Sequence, residues 1–123
     1  MGTAPPQMQL LFSEMPPDEQ RVWRALQAHA GRASAITGEA LAEGTGLPWR
    51  ECRQVMKDLI EIHHKRIGSS PSRPAGYYII ETPDEEEATY QTLKGQAIST
   101  LKRASVIRRV SLREIFGQLA LEV

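Results

Sequence analysis

The sequence predicts an α+β fold, and three observations predict it. Between residues 13 and 62 apolar residues recur at helical steps of three and four in three short stretches. Directly after them, Lys65–Ser70 and Tyr77–Ile80 carry strand character around a loop of Pro, Ser and Gly. From Thr82 onward two more helical patterns follow, each opened by its own capping signal. The expected domain plan is a disordered N-terminal segment at 1–12, a core domain at 13–82 and a helical extension at 83–123. The single cysteine, Cys52, excludes an internal disulfide and fits a reducing compartment.

Met1 to Gln9 holds Pro5-Pro6 and little to bury, and Leu10, Leu11 and Phe12 are apolar enough to dock on the domain or a partner. Pro16-Pro17-Asp18-Glu19 opens the first helix, with acids at its positive end. Val22, Trp23, Ala25, Leu26 and His29 form its inner side, and it runs out near Gly31. Arg32 to Ile36 has room for a short extended segment.

Thr37 is the N-cap of the second helix, whose hydroxyl accepts from a free N–H of the first turn. Ala40 and Leu41 are expected inward, and Gly44 is expected to stop the helix before the turn Gly44-Thr45-Gly46. Pro48 opens the third helix, which runs to about His63. Trp49, Cys52, Val55, Met56, Leu59 and Ile60 make its apolar face; Arg50, Arg53, Gln54 and Lys57 make its outer face. Trp49 is expected to pack at the helix start, because it continues the Cys52–Met56 stripe.

The capping box Thr82-Pro83-Asp84-Glu85 starts the fourth helix, with Tyr90, Leu93, Ala97, Leu101 and Ala104 as its apolar stripe and Ile98 beside it. Ser111 to Glu114 starts the fifth, which carries Leu112, Ile115, Phe116, Leu119 and Ala120. Neither helix is needed to complete the small core. Surplus apolar faces usually find a partner, and a symmetric dimer through these helices is the expected solution.

Formal net charge is zero, but the charges are unevenly spread. Leu47 to Arg73 holds basic residues at 50, 53, 57, 65, 66 and 73 against acids at 51, 58 and 61. Lys94 to Arg113 holds Lys94, Lys102, Arg103, Arg108, Arg109 and Arg113 and no acid. Glu81, Asp84, Glu85, Glu86 and Glu87 are negative. The sequence shows no glycine-rich phosphate loop and no nucleophile elbow, and its acidic run reads as helix-start charge, so an enzyme is not expected. Cys52, His29, His63 and His64 lack the close ligand pairs of a structural zinc site, so neither metal nor cofactor is expected. No apolar run reaches the roughly 18 residues that span a bilayer, and the N-terminus does not read as a secretory signal, so the expectation is a cytoplasmic protein with no membrane partner.

Two helices joined by a Gly-containing turn, the second basic on its outer face, carry the signature of a helix-turn-helix, and a hairpin directly after them reads as a wing. Thr37 to Ile80 resembles winged helix-turn-helix DNA-binding domains: a three-helix core plus a β-hairpin wing, here with a C-terminal helical extension. ALAEGTGLPWRECRQVMKDL followed by RIGSS and GYYII is similar to small winged-helix proteins of phages and prophages. The resemblance covers about 45 residues and implies double-stranded DNA binding, as a transcriptional regulator or an accessory protein of phage-type DNA metabolism. It implies contacts from Pro48, Trp49, Arg50, Arg53, Gln54 and Lys57 on the recognition helix and from Ser70, Ser72 and Arg73 on the wing, with Thr37 and Arg66 counted beside them. Arg53 and Gln54 suit base edges, Arg50 and Lys57 phosphates. The alternative is a winged helix used as a protein-interaction module, which Glu51, Asp58 and Glu61 on the same helix favour. Lys102 to Arg113 reads equally as a second phosphate-binding patch or as a solvated surface.

Overall fold

A computed structural model of the chain describes residues 15–122. The expectations for 1–12 fall outside the described residues. The fold is α+β: helix α1 (Pro17–Leu26), a 3-10 turn (Arg32–Ser34), α2 (Gly38–Thr45), α3 (Trp49–Glu61), the antiparallel hairpin β1 (Ile67–Ser70) and β2 (Gly76–Ile79), then α4 (Pro83–Arg108) and α5 (Leu112–Glu122). It divides into two units between Glu86 and Glu87.

The first unit has a core because three helices and the hairpin each present one apolar side. Val22 and Leu26 of α1, Leu41 of α2, Cys52 and Leu59 of α3, and Tyr78 of β2 are buried almost completely. Removing a Val or Leu side chain of this kind from water contributes about 1.5–3 kcal/mol. α1 starts as its prolines and acids dictate, with Pro17 in its first turn and Asp18 and Glu19 at its positive end. It stops at Leu26, earlier than Gly31, so His29 lies in the turn beyond it, with Nδ1 2.7 Å from the Ser34 carbonyl.

In α2 the Thr37 hydroxyl accepts from the Ala40 N–H at 3.2 Å, as a cap should. Two details differ from expectation. Leu41 and Ala42 are the buried pair, and Ala40 is exposed. Gly44 stays helical; the left-handed residue is Gly46, at φ 76°, whose N–H returns to the Ala42 and Glu43 carbonyls. The helix can run on to Thr45 because this buried residue satisfies its hydroxyl on the Leu41 and Ala42 carbonyls.

α3 begins at Trp49 with Pro48 in the cap position and ends at Glu61, two residues short of His63. Cys52, Val55, Met56 and Leu59 are its buried side, while Ile60, expected inward, is 39% exposed at the edge of that stripe. After α3 the chain turns at His64, φ 55°, and the His63 Nε2 lies 2.6 Å from the Glu19 carboxylate. That pair ties the end of α3 to the first turn of α1 and gives the buried Glu19 its partner.

The hairpin register pairs Ile67 with Ile79, Gly68 with Tyr78, Ser69 with Tyr77 and Ser70 with Gly76. The outer edge of β2 is covered by the linker before α2. Ile36 and Tyr77 exchange N–H···O bonds of 2.9 and 2.7 Å, and Ile79 bonds to His29 and Gly31. The segment Arg32 to Ile36 is thus not one extended run; a 3-10 turn sits between two single bridges.

The caps of α4, at the end of the first unit, and of α5, in the second, act as local chemistry demands. Glu85 N–H donates to the Thr82 hydroxyl at 3.2 Å, and the Glu85 carboxylate accepts from the N–H groups of Glu81 and Thr82. The Ser111 hydroxyl accepts from the Glu114 N–H at 3.1 Å and opens α5. Between the helices Arg109, at φ 60°, turns the chain, and the Val110 N–H returns to the Ser105 carbonyl. The predicted stripe on α4 is present as a pattern, but Tyr90 and Leu93 are more than half exposed. On α5 Phe116 and Leu119 are exposed too. Among the described residues, no hydrophobic side chain after Glu86 is buried. No helix among them is long and apolar enough to cross a membrane.

Candidate functional site

The exposed side of α3 carries the residues that the sequence singles out. Arg50, Arg53, Gln54 and Lys57 are all exposed. Together with half-buried Trp49 they line an open depression of ≈ 460 Å³. At about 100° per residue, Arg50, Arg53 and Lys57 share one sector of the helix, and Glu51 and Asp58 fall on the next. The depression is therefore lined by three cations and no carboxylate.

Trp49 is its floor. The ring packs against the core and lies 5.9 Å, centroid to centroid, from the ring of Tyr77 on β2. It also covers the start of α2, so closely that a Cβ on Gly38 would lie 2.3 Å from Trp49 Cη2. Only a residue without a side chain fits under the indole there. The Arg53 guanidinium stands 5.9 Å from the Trp49 ring, a cation–π contact that leaves its N–H groups free for a ligand. Gln54 is engaged in a different way: its amide donates to the Asp58 carboxylate at 3.0 Å on the same helix. That bond uses one of the two amide N–H groups; the other, with Oε1, remains for a base contact.

The remaining candidates do not line the depression. Thr37 is exposed, with its hydroxyl occupied as a cap, and Pro48 is exposed at the cap of α3. Arg66 pairs with Glu86 at 3.0 Å, both side chains more than half exposed. Arg73 and Ser72 are exposed on the hairpin loop. Ser70 is a correction to the list of surface candidates, because it is 7% exposed. Its hydroxyl donates to the Ser72 carbonyl and accepts from the Arg32 guanidinium, so its role is to shape the loop from inside.

Arg32 is the residue that sequence reasoning missed. Its Nε donates to Ser70 Oγ at 3.2 Å and its Nη2 to Ser72 Oγ, and its backbone N–H donates to the Glu85 carboxylate at 2.8 Å. It joins the hairpin loop to the start of α4. Its partners lie 38, 40 and 53 residues away, so no local pattern could have revealed it. The Arg32 N–H, followed by the Glu81 and Thr82 N–H groups, holds the Glu85 carboxyl below the usual carboxylate range.

Elsewhere the chemistry is structural. Burial pushes the Cys52 thiol up, against the weaker opposing pull of the Thr45 hydroxyl, so this thiol is a poor nucleophile. Among the described residues no group of three or more His, Cys, Asp and Glu is placed to hold a metal ion. Comparison with family models, with curated proteins and with solved structures finds no match to this chain.

Proposed function

We propose that the chain is a winged helix-turn-helix protein that binds double-stranded DNA, with α3 as recognition helix and the β1–β2 hairpin as wing. The observation that carries the reading is the α3 depression, where Arg50, Arg53 and Lys57 surround an aromatic floor with no acid among the lining residues. An α-helix, about 10–12 Å across with its side chains, fits the major groove, which is about 12 Å wide. In this reading Arg53, steadied on Trp49, meets a base edge, and Arg50 and Lys57 meet phosphates. Ser72 and Arg73 touch the sugar–phosphate backbone, on a loop that Arg32 and Ser70 hold in shape. The protein works without catalysis, in the cytoplasm, in transcriptional regulation or phage-type DNA metabolism, as two copies joined through the C-terminal helices.

The second reading, a protein-interaction module, draws on two observations: Gln54 is tied to Asp58, and Glu51 and Glu61 are exposed on the same helix. A fluorescence-anisotropy titration separates the two. Wild-type protein should bind random duplex DNA at low salt and release it as salt rises, since phosphate contacts displace counterions. Arg53→Ala should lose about 1–3 kcal/mol of binding, and Arg53→Glu more, with unfolding unchanged. Equal affinity of folded wild type and Arg53→Glu for every duplex takes α3 out of a DNA interface and favours the protein partner.

A further inference from the structure

We infer that α4 is the seam of an antiparallel homodimer, in which Tyr90 of each copy enters the depression at the C-terminal end of the other copy's α4. This deepens the association of two copies proposed above and rests on it.

The second unit has helices but no core. None of its described hydrophobic side chains is buried. At 11 residues, α5 is shorter than the roughly 12–15 residues an isolated helix needs to be even marginal in water. An apolar face has to be covered from outside the unit, and its spacing says by what. Tyr90, Leu93, Ala97, Leu101 and Ala104 follow one another at steps of three and four, the spacing of a helix that packs lengthwise on another helix. Near the end of that line, Ala104, Ile107, Val110 and Ile115, together with Arg108 and Gln118, border an open depression of ≈ 610 Å³, a mixed lining that suits the ring and hydroxyl of a tyrosine.

Charge decides the direction. Asp84 and Glu87 stand exposed at the start of α4, and Lys102, Arg103, Arg108 and Arg109 stand exposed at its end. Two parallel copies would set acids beside acids and bases beside bases. Two antiparallel copies set them opposite one another. With the two-fold axis at Ala97, Leu93 faces Leu101, Tyr90 faces Ala104 and Glu87 reaches Arg108. Bulky residues then meet small ones, and the Tyr90 ring, 55% exposed in the single chain, meets the depression beside Ala104.

Sedimentation of the full chain without DNA is the first test. It should give a dimer at tens of micromolar, and Leu93→Asp should weaken association about tenfold or more while the first unit's folding signal persists. Direction is read by charge reversal. Glu87→Arg and Arg108→Glu should each weaken the dimer about two- to tenfold, and the chain carrying both should recover, as expected of exposed pairs used twice in a symmetric interface. Mild oxidation gives a second reading. Chains with Leu93→Cys should cross-link to chains with Leu101→Cys, and neither to itself; the wild-type Cys52 is buried and serves as the unreactive control. A monomer at these concentrations, self-linking of Leu93→Cys, or a double reversal no better than the singles overturns the proposal. Because no DNA is present, a dimer that fails to bind duplexes sinks only the DNA reading. A monomer that binds duplexes sinks this proposal and the two-copy association it rests on, and leaves the DNA reading standing. A dimer that self-links at Leu93→Cys sinks only the antiparallel seam.

Discussion

The two units of this chain obey the same local rules and end in opposite states. Each contains a helix opened by a capping hydroxyl: α2 on Thr37 in the first; α5 on Ser111 in the second; and Thr82 caps α4, which runs from the first into the second. Each has apolar residues at helical spacing. Yet residues up to Glu86 bury Val22, Leu26, Leu41, Cys52, Leu59 and Tyr78 together, and the described residues after it bury no hydrophobic side chain. The difference teaches that helical spacing specifies a face, not what the face meets. In the first unit three helices and a hairpin bring several faces to one point. In the second, two helices with a turn at Arg109 do not enclose a volume, so the same kind of face stays in water.

Hydrogen exchange should show the largest contrast. Amides of α3 near Leu59 are expected to exchange only through global unfolding, at about 5–15 kcal/mol, while those of α5 exchange at close to free rates in dilute protein. Equal protection in both, at a concentration where the chain is monomeric, would abolish the distinction drawn above. One substitution made twice sharpens it. Leu59→Ala should lower stability by about 2–5 kcal/mol, since Leu59 has no exposure at all, and Leu121→Ala, 89% exposed in the single chain, should stay within about 0.5 kcal/mol. Denaturant midpoints measure both.

A smaller effect is expected at the contact that closes the first unit. His63→Ala leaves the buried Glu19 carboxylate without its partner and should cost about 1–3 kcal/mol, read from the urea midpoint. An unchanged midpoint would mean that water replaces the imidazole freely. The smallest effect belongs to Glu85, at the border of the units. Its carboxyl is held low in the folded chain, so the ionised form favours folding above the ordinary carboxylate range. That contribution disappears as pH falls through the lowered value. The melting-temperature gap between wild type and Glu85→Gln should be full above the ordinary carboxylate range and shrink as pH falls through the lowered value. A gap that widens on acidification contradicts the assignment of Arg32, Glu81 and Thr82 N–H groups as the carboxylate's donors.

Much of the α+β plan was legible because its signals are local. The caps at Thr37, Thr82 and Ser111 need partners only three residues away, and the apolar steps of α3 follow from helix geometry. Errors arose where two local answers were equally good. Gly44 and Gly46 both permit a helix stop; the chain uses Gly46 because Thr45 can be buried with its hydroxyl satisfied. Ile60 continues the apolar spacing as well as Val55 does, but the core has room on only one edge of α3. Ser70 reads as a wing residue at the end of its strand, available for contact, and its hydroxyl is instead bonded by Arg32 and Ser72.

For the candidate site, the sequence by itself determined the cations of α3, because a buried side at Cys52, Val55, Met56 and Leu59 forces Arg50, Arg53 and Lys57 outward. Only the tertiary structure decided the floor beneath them. Trp49 is wedged between Gly38 and Tyr77, and Arg32 holds the hairpin loop, through contacts between residues far apart in the chain. Periodicity reports which way a side chain points from its own element. What it meets there depends on where every other element lies, and that is set by packing of the whole core.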